Sequence, residues 1–391
     1  MNKRLLHKDS QLFINQNLNN DYSKIALSGS PFPDISIQEI LEQIQSKNKA
    51  EKKLPTWFKT ENIYYPSKVS IEQTSSEITA KYKARIVSGK TLADLTGGLG
   101  VDSFYFSKKF KKVFHFEINP ELSEIADHNF KQFNATINCI NKEGITAIKN
   151  EYFNVIYIDP SRRNDAKGKV FYLKDCLPNV TEHLDYLLKR CDTLMIKTSP
   201  MLDISAGIKE LRQVNEIHII AVNNEVKELL WIINSKESIP CTIKTINLKK
   251  EALEQFSFLI DETAIATYSL PETFLYEPNA AILKSGAFYL ISKKFQLNKL
   301  HQHTHLYTSN TLIDFPGRRF AIEKIIPYQK KEIKNLLFET KANIAIRNFP
   351  LKPEELKNLY KITDGGDNYL FFTTLLNDKK AVLICKKQKS P

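Results

Sequence analysis

From Thr91 onward the chain alternates short apolar runs with stretches of helical periodicity. The run TLADL (Thr91 to Leu95) reads as a buried strand, and VDSFYFSKKF (Val101 to Phe110) as the helix that follows it. KVFHFEI (Lys112 to Ile118) predicts a second strand. PELSEIADHNFKQF then predicts a helix with Pro120 in its first turn, where a missing N–H costs no hydrogen bond. ATINCIN (Ala135 to Asn141), EYFNVIYIDP (Glu151 to Pro160), DTLMIKTSP (Asp192 to Pro200) and EIHIIAVNN (Glu216 to Asn224) supply four more strands. Alternation at this spacing predicts a parallel sheet with helices on both faces. Such sheets take ligands at the carboxyl ends of their strands.

The pattern differs on either side. Residues 1–60 read as helical and peripheral, with Pro31, Pro33 and Pro55 as punctuation. Ser36 and Glu39 make a capping-box pattern before EILEQIQSKNKAEKK. SSEITAKYKARIV (Ser75 to Val87) predicts a further helix. Past about residue 265 a second α/β texture begins. FAIEKIIPY reads as strand, QKKEIKNLLFET as helix, NIAIRNF as strand and PEELKNLYKI as helix. NYLFFTTLL and AVLICKK then predict a hairpin across NDKK. The order β-α-β-α-β-β suggests a small separate α/β domain.

Composition narrows the class. The 391 residues suit two or three domains, and 42% apolar content is enough for a sizeable core. No apolar run approaches the ~18 residues of a membrane span. MNKRLLHKDS lacks the apolar stretch of a secretion signal. Five scattered cysteines with no CxxC pair suggest neither a zinc knuckle nor a disulfide framework, so all five are read as structural and the protein as cytoplasmic. The net charge of +12 suits a polyanionic partner, although an AT-rich genome would also enrich lysine.

The candidate chemistry centres on DLTGGLGVD, Asp94 to Asp102. Of only 12 glycines, Gly97, Gly98 and Gly100 fall within four positions of one strand-to-helix turn. Glycine there lets backbone approach a ligand with no Cβ in the way. A dinucleotide fingerprint requires glycine where this chain has Ser103. Asp94, at the end of the strand, would oppose a pyrophosphate but suit a cationic ligand such as the amine of S-adenosylmethionine (SAM). Glu117 ends the next strand, roughly 20 residues on, where a carboxylate can accept both ribose hydroxyls. Together they point to an adenosyl ligand with a positive amino-acid tail.

The fourth strand ends in IDPSRR, Ile158 to Arg163. Asp159 and Pro160 place a carboxylate and a fixed carbonyl at that tip; the alternative is a turn cap and a strand stop. Arg162 and Arg163 suit a phosphate or a base face, or a solvated basic loop. The fifth strand ends in KTSPMLD, so Lys197, Thr198 and Ser199 are expected beside Asp159, shaping a pocket or closing the strand. His301, His303 and His305 alternate as in an exposed strand; no fourth ligand is evident, and no metal is expected. PGRRF (Pro316 to Phe320) joins base and aromatic in a way that suits RNA contact.

DLTGGLGVD, FEINP and IDPSRR resemble the cofactor loop, ribose acid and fourth-strand motif of class I methyltransferases. A closer resemblance is to bacterial proteins that pair such a domain with a C-terminal THUMP-like domain. It starts near LPTWFKTENIYYPSKVSIEQTSSEITAKYKA and resumes at YEPNAAILKSGAFYLI and from Phe320 to Lys387. The resemblance implies a Rossmann-like, seven-stranded α/β sheet with an N-terminal helical region and a small C-terminal α/β domain. The expected division is 1–70 helical, 71–262 methyltransferase and 263–391 THUMP-like. The implied cofactor is SAM, held by Asp94, Thr96, Gly97, Gly98, Gly100, Glu117 and Asn119. Asp159, Pro160, Ser161 and Arg162 are the implied catalytic segment; taken with the basic charge, structured RNA (tRNA or rRNA) is the expected partner and an exocyclic amine the expected acceptor. RNA cap guanine-amine methyltransferases carry Asp-Pro-Pro and an aromatic, whereas this chain has Ser161 and Arg162; Phe171 or Tyr172 are the candidates to stack instead. Uridine-C5 methyltransferases need a cysteine nucleophile at a strand tip, and Thr198-Ser199-Pro200 offers none. Two other readings are a protein or small-molecule methyltransferase, and a SAM-binding RNA module without turnover.

Overall fold

The apolar runs become strands where the periodicity places them. The computed structural model describes residues 1–162, 172–235, 239–250 and 252–389. The chain divides into two units, Met1–Ile217 with Glu228–Ile239, and His218–Lys227 with Pro240–Pro391.

In the first unit, β1 (Thr91–Asp94), β2 (Lys112–Phe116), β3 (Asn138–Ile140), β4 (Phe153–Ile158) and β5 (Cys191–Thr198) are parallel, in the order β3-β2-β1-β4-β5. Leu92 in β1 is opposite Val113 on one side and Val155 on the other, so the glycine-loop strand lies inside the sheet. β6 (Glu216–Val222), of which His218 onward belongs to the second unit, follows; β7 (Glu225–Asn234) returns to the first unit from Glu228 and runs antiparallel to β5 from Thr193↔Asn234 to Thr198↔Leu229. Nothing in the local pattern announces β7 as a strand. Its continuous run Leu229 to Ile233 has no period, and length alone does not separate a buried strand from a buried helix.

The N-terminal helices are α1 (Lys8–Gln16), α2 (Tyr22–Ser28), α3 (Ile37–Lys53), α4 (Pro55–Lys59), α5 (Lys68–Gln73) and α6 (Glu77–Ile86). The expected capping box opens α3: Ser36 N donates to Glu39 Oε2 at 2.8 Å, and Glu39 N to Ser36 Oγ at 3.2 Å. These helices are not peripheral. Ile40, Ile44, Ala50, Leu54 and Trp57 share one continuous core with Leu92, Val113 and Val155 of the sheet. Trp57 meets Phe104 edge-on at 4.9 Å. The apolar stripe of α3 and a sheet face both need cover, and each supplies it to the other. Gln43 exchanges two hydrogen bonds with the Tyr65 backbone, at 2.6 and 3.0 Å. Asn129 does the same with Tyr64, both at 2.9 Å. α7 (Val101–Ser107) follows the glycine loop and α8 (Pro120–Gln132) follows β2. α9 (Gly144–Ala147), α10 (Val180–Leu188) and α11 (Ile204–Leu211) complete the unit.

In the second unit, β8 (Thr242–Leu248) and β9 (Leu253–Leu259) pair as a hairpin. β10 (Phe274–Pro278), α12 (Ala280–Ser285), α13 (Phe288–Phe295), β11 (Asn298–His301) and β12 (Thr304–Ser309) follow. The last elements are β13 (Gly317–Pro327), α14 (Lys330–Leu337), β14 (Asn343–Arg347), α15 (Pro353–Tyr360), β15 (Asn368–Thr374) and β16 (Lys380–Gln388). That is the β-α-β-α-β-β order read from the sequence, with β15 and β16 antiparallel as expected. These four strands are not a separate sheet. β10 pairs with β13, giving one seven-stranded sheet in the order β11-β12-β10-β13-β16-β15-β14.

The sheet curls until its two edges meet. Asn348, just after β14, donates from Nδ2 to His301 Nδ1 at 3.2 Å and to Thr304 Oγ1 at 3.3 Å. Leu275, Leu306, Phe320, Phe371 and Leu383 pack together inside the curl. Ile333 and Leu337 of α14 and Leu356 and Tyr360 of α15 cover the outer face.

The exposed histidine strand is overturned. The chain reverses between β11 and β12, so only His303 is exposed, at the turn. His301 Nε2 lies 3.0 Å from Asp378 Oδ1, and His305 stacks on Phe288 with centroids 3.5 Å apart. Among the described residues no cluster of His, Cys, Asp and Glu is arranged to hold a metal. No described helix is long and apolar enough to cross a membrane. None of the five cysteines is in a disulfide, and burial pushes the Cys139 and Cys191 thiols up to about 12.

Candidate active site

β1 ends at Asp94, and the chain turns through Thr96 to Gly100 into α7. Each glycine answers a different demand. At Gly97 a Cβ would lie 2.1 Å from the His115 ring, so the loop can rest on that ring only without a side chain. Gly100 has φ +82°, and a Cβ there would lie 2.2 Å from Phe130. Gly98 has φ +56°, and a Cβ there would point into open space. Gly97 and Gly100 are therefore fixed by what lies behind the loop, and Gly98 by backbone conformation on its open side. Gly97 N donates to Phe116 O at 2.8 Å and Gly100 N to Gly97 O at 2.9 Å, which hold the turn.

Asp94 is buried, at 1% exposure. Its Oδ2 accepts from Ser103 Oγ at 2.7 Å and its Oδ1 from Thr96 N at 3.2 Å. Among the described residues no cation pairs with it. Burial pushes its carboxyl up to about 7, against the Ser103 hydrogen bond, and neighbouring Asp102 adds to the rise. Ser103 Oγ also lies 3.1 Å from His115 Nδ1. Burial pushes His115 down to about 4, so its ring is neutral at pH 7. When Asp94 is ionised, the single Ser103 hydroxyl proton goes to it, which leaves His115 Nδ1–H as the donor to Ser103. In that state the order is His115 to Ser103 to Asp94.

Glu117 lies just past β2. Its Oε2 accepts from Gly98 N and its Oε1 from Asn119 N, both at 2.8 Å. Asn119 also caps α8, accepting from Leu122 N at 3.1 Å. The second acid is thus tied to the glycine loop itself. Thr96 links the loop to β4: Asp159 N donates to Thr96 Oγ1 at 2.6 Å.

Asp159, at the β4 tip, has a partially exposed side chain and pairs through Oδ2 with Lys197 Nζ at the end of β5. Burial alone would lower the Lys197 ammonium, but Asp159, Glu228 and Asp102 outweigh it and hold the group above its ordinary value. A second lysine, Lys83 of α6, is fully buried between Asp102 Oδ1 at 3.0 Å and Glu228 Oε1 at 3.2 Å. Asp102 also accepts from Tyr157 Oη at 2.8 Å and from Ser75 Oγ at 2.7 Å.

Of the three β5-tip candidates, only Lys197 meets Asp159. Thr198 is buried and accepts from Trp231 Nε1 at 2.9 Å, and Ser199 accepts from Met201 N at 3.2 Å in the following turn. Pro160 is buried and Ser161 exposed. Ser161 and Arg162 form a two-residue ladder with Leu177 and Cys176. Arg163, Phe171 and the Arg162 side chain lie outside the described residues. Tyr172 is partly exposed, with Lys174 Nζ 5.0 Å from its ring centre.

Sequence reasoning missed the supporting chemistry. In the sequence Ser103 stands out only as the residue replacing a glycine, and His115 only as part of a strand. The buried Lys83–Asp102–Glu228 group joins three distant segments, and no local spacing announces it. Asp102 was visible at the end of the glycine motif, but its partner was not.

A ferredoxin-like domain model matches residues 274–316, and a THUMP domain-like model matches residues 317–387. Along nearly its whole length the chain is similar to a solved structure from Porphyromonas gingivalis W83 described as a "putative methyltransferase". The two are 33% identical, the match covers 99% of each chain, and the TM-score is 0.88. The chain is also 19% identical over 298 residues to an uncharacterised S-adenosylmethionine-dependent methyltransferase of Mycobacterium tuberculosis H37Rv, across 75% of this chain and 80% of that protein. With a third of its residues shared end to end, and a parallel sheet whose glycine turn carries acids at two adjoining strand ends, the chain belongs to the family of the P. gingivalis protein, methyltransferases of Rossmann-like α/β fold with a C-terminal THUMP-like domain.

Proposed function

We propose that this protein transfers a methyl group from SAM to a base in structured RNA, either tRNA or rRNA, with an exocyclic amine as acceptor. The observation that carries the cofactor reading is Asp94: a buried carboxylate with no cation beside it among the described residues, at the strand end next to an open glycine turn. A charge so placed is costly unless a ligand brings the opposite one. The SAM ammonium fits there, Thr96, Gly97, Gly98 and Gly100 offer backbone, and Glu117 with Asn119 suits the ribose. Glu117 has lone pairs beyond those used by Gly98 and Asn119.

When bound, SAM supplies a methyl group already attached to its leaving group. The chain's task is then placement, at roughly 3–3.5 Å and in line, which contributes several kcal/mol. Asp159 accepts a hydrogen bond from the acceptor amine and takes up its proton. Lys197 engages Oδ2 alone, which fixes the carboxylate without using its other oxygen. The Pro160 carbonyl is the second acceptor at the tip.

RNA is supported by where the charge lies. Residues 317–387 hold 15 Lys and Arg against 8 Asp and Glu, so this THUMP-like segment carries +7 of the chain's +12. Lysine spread evenly by genome composition would not concentrate so. Five cysteines outside any disulfide suit a reducing, cytoplasmic setting. The test is tritiated methyl transfer from SAM to total RNA, followed by nucleoside analysis. Label in protein or small molecules instead would replace the RNA reading, and SAM binding without any transfer would leave a binding module.

A further inference from the structure

We propose that Arg318 and Arg347, both anchored on the buried carboxylate of Glu277 where the C-terminal sheet curls on itself, form the seat for a backbone phosphate of the bound RNA. This rests on the RNA reading above.

Glu277 lies in β10, directly opposite Arg318 of β13, and is 2% exposed. Arg318 donates from Nε and Nη2 to Glu277 Oε2, both at 2.5 Å. Arg347 ends β14, at the far edge of the sheet order. The curl brings it back across the sheet, and its Nη2 donates to Glu277 Oε1. One carboxylate thus anchors two guanidinium groups, one on each oxygen.

Charge pairing alone does not call for this arrangement. One arginine would neutralise Glu277, and the second leaves a net +1 fixed in place. The side chains of both arginines remain about a third exposed, 35% for Arg318 and 33% for Arg347. Each guanidinium has five N–H donors, and the known partners use only some of them. Arg318 spends two on Glu277. Arg347 spends one on Glu277 and one on Ile346 O at 2.6 Å, while its Nε is buried with no partner. Two planar donor forks held by a shared carboxylate lose little entropy when they engage an anion, and they match phosphate geometry in a way ammonium groups do not.

The surroundings suit a nucleic acid in particular. The Arg318 guanidinium lies 5.5 Å from the Phe320 ring centre and 5.8 Å from that of Tyr369. Phe320 is buried and supports the guanidinium from below, whereas Tyr369 is partly exposed. A phosphate on the arginine pair would put its nucleotide within reach of an aromatic face, and stacking of that kind is tolerant of sequence.

The test compares binding of labelled total tRNA to the full chain across a salt series, for wild type and for R318K, R347K and E277Q. Arg→Lys keeps the charge but removes the fork, and each such variant should bind about tenfold more weakly. E277Q makes the chain one unit more positive while removing the anchor. The proposal expects weaker binding; a surface acting by charge alone expects tighter binding. Thermal unfolding and SAM binding, read on the same samples, should stay as in wild type for the two Arg→Lys variants, which keeps the test valid if E277Q fails to fold. Wild-type-like affinity in both Arg→Lys variants, or tighter binding by folded E277Q, overturns the seat while leaving the RNA reading intact. If wild type binds no tRNA or rRNA at any salt, both fail together.

Discussion

At the scale of single residues, Asp94 decides most. Its carboxyl stands near 7 rather than at the ordinary 3.8, because it is buried without a cation. Between about pH 4 and pH 7 the folded chain therefore holds a proton that the unfolded chain has released, and stability falls as pH rises through that window. A ligand ammonium at Asp94 favours the ionised form. SAM binding below pH 7 should then expel a proton, and affinity should rise with pH by up to about tenfold per unit before levelling off above 7. Calorimetry in buffers of different ionisation enthalpy measures both, and a flat affinity from pH 5 to 8 would contradict the assignment. Asp94→Asn should weaken SAM binding about tenfold or more and abolish its pH dependence. Asp159→Asn should bind SAM as wild type does yet slow transfer by about a hundredfold, in the range of general acid–base effects; unchanged transfer would remove Asp159 from the reaction.

At the scale of elements, the glycine turn works only because β1, β2 and α8 fit around it. Gly97→Ala places a methyl 2.1 Å from the His115 ring, which is walled in by Phe130 and Ser103. Overpacking of this kind costs about 1–3 kcal/mol, and shrinking the ring position with His115→Ala should recover part of the loss in a double-mutant cycle. Full additivity of the two changes would mean the contact does not matter. The strands and the turn between them were legible in the sequence because period and punctuation are local. Asp94, Glu117 and Asp159 were legible for the same reason, since each closes a strand. What surrounds them was not. Ser103 and His115 meet Asp94 only after β1, α7 and β2 have packed, and Lys83 meets Asp102 and Glu228 from a helix and a strand far apart in the chain. The N-terminal helices read as peripheral because amphipathicity shows that a face is buried but not against what; in the fold they close one side of the sheet. The histidine run misled in the opposite way, since two-residue alternation does not reveal a reversal at Gln302 and His303.

At the scale of the molecule, a site whose described lysines are paired with acids contrasts with a strongly basic C-terminal segment. Among the described residues around Asp159, Lys83 and Lys197 are committed to Asp102, Glu228 and Asp159. The THUMP-like segment, by contrast, carries +7. Grip on a polyanion should therefore come from the second unit and methyl transfer from the first. Log affinity for RNA should fall linearly with log salt, with a slope set by the number of phosphates engaged, while SAM affinity should hardly respond. Equal salt dependence of the two would argue against this division of labour. The most direct measurement is transfer of tritiated methyl from SAM to total bacterial RNA by the wild-type chain, with Asp159→Asn alongside. The account predicts label in a single modified nucleoside, lost in the Asp159 variant and suppressed by high salt. Label in protein, or no label in RNA despite SAM binding, would contradict it.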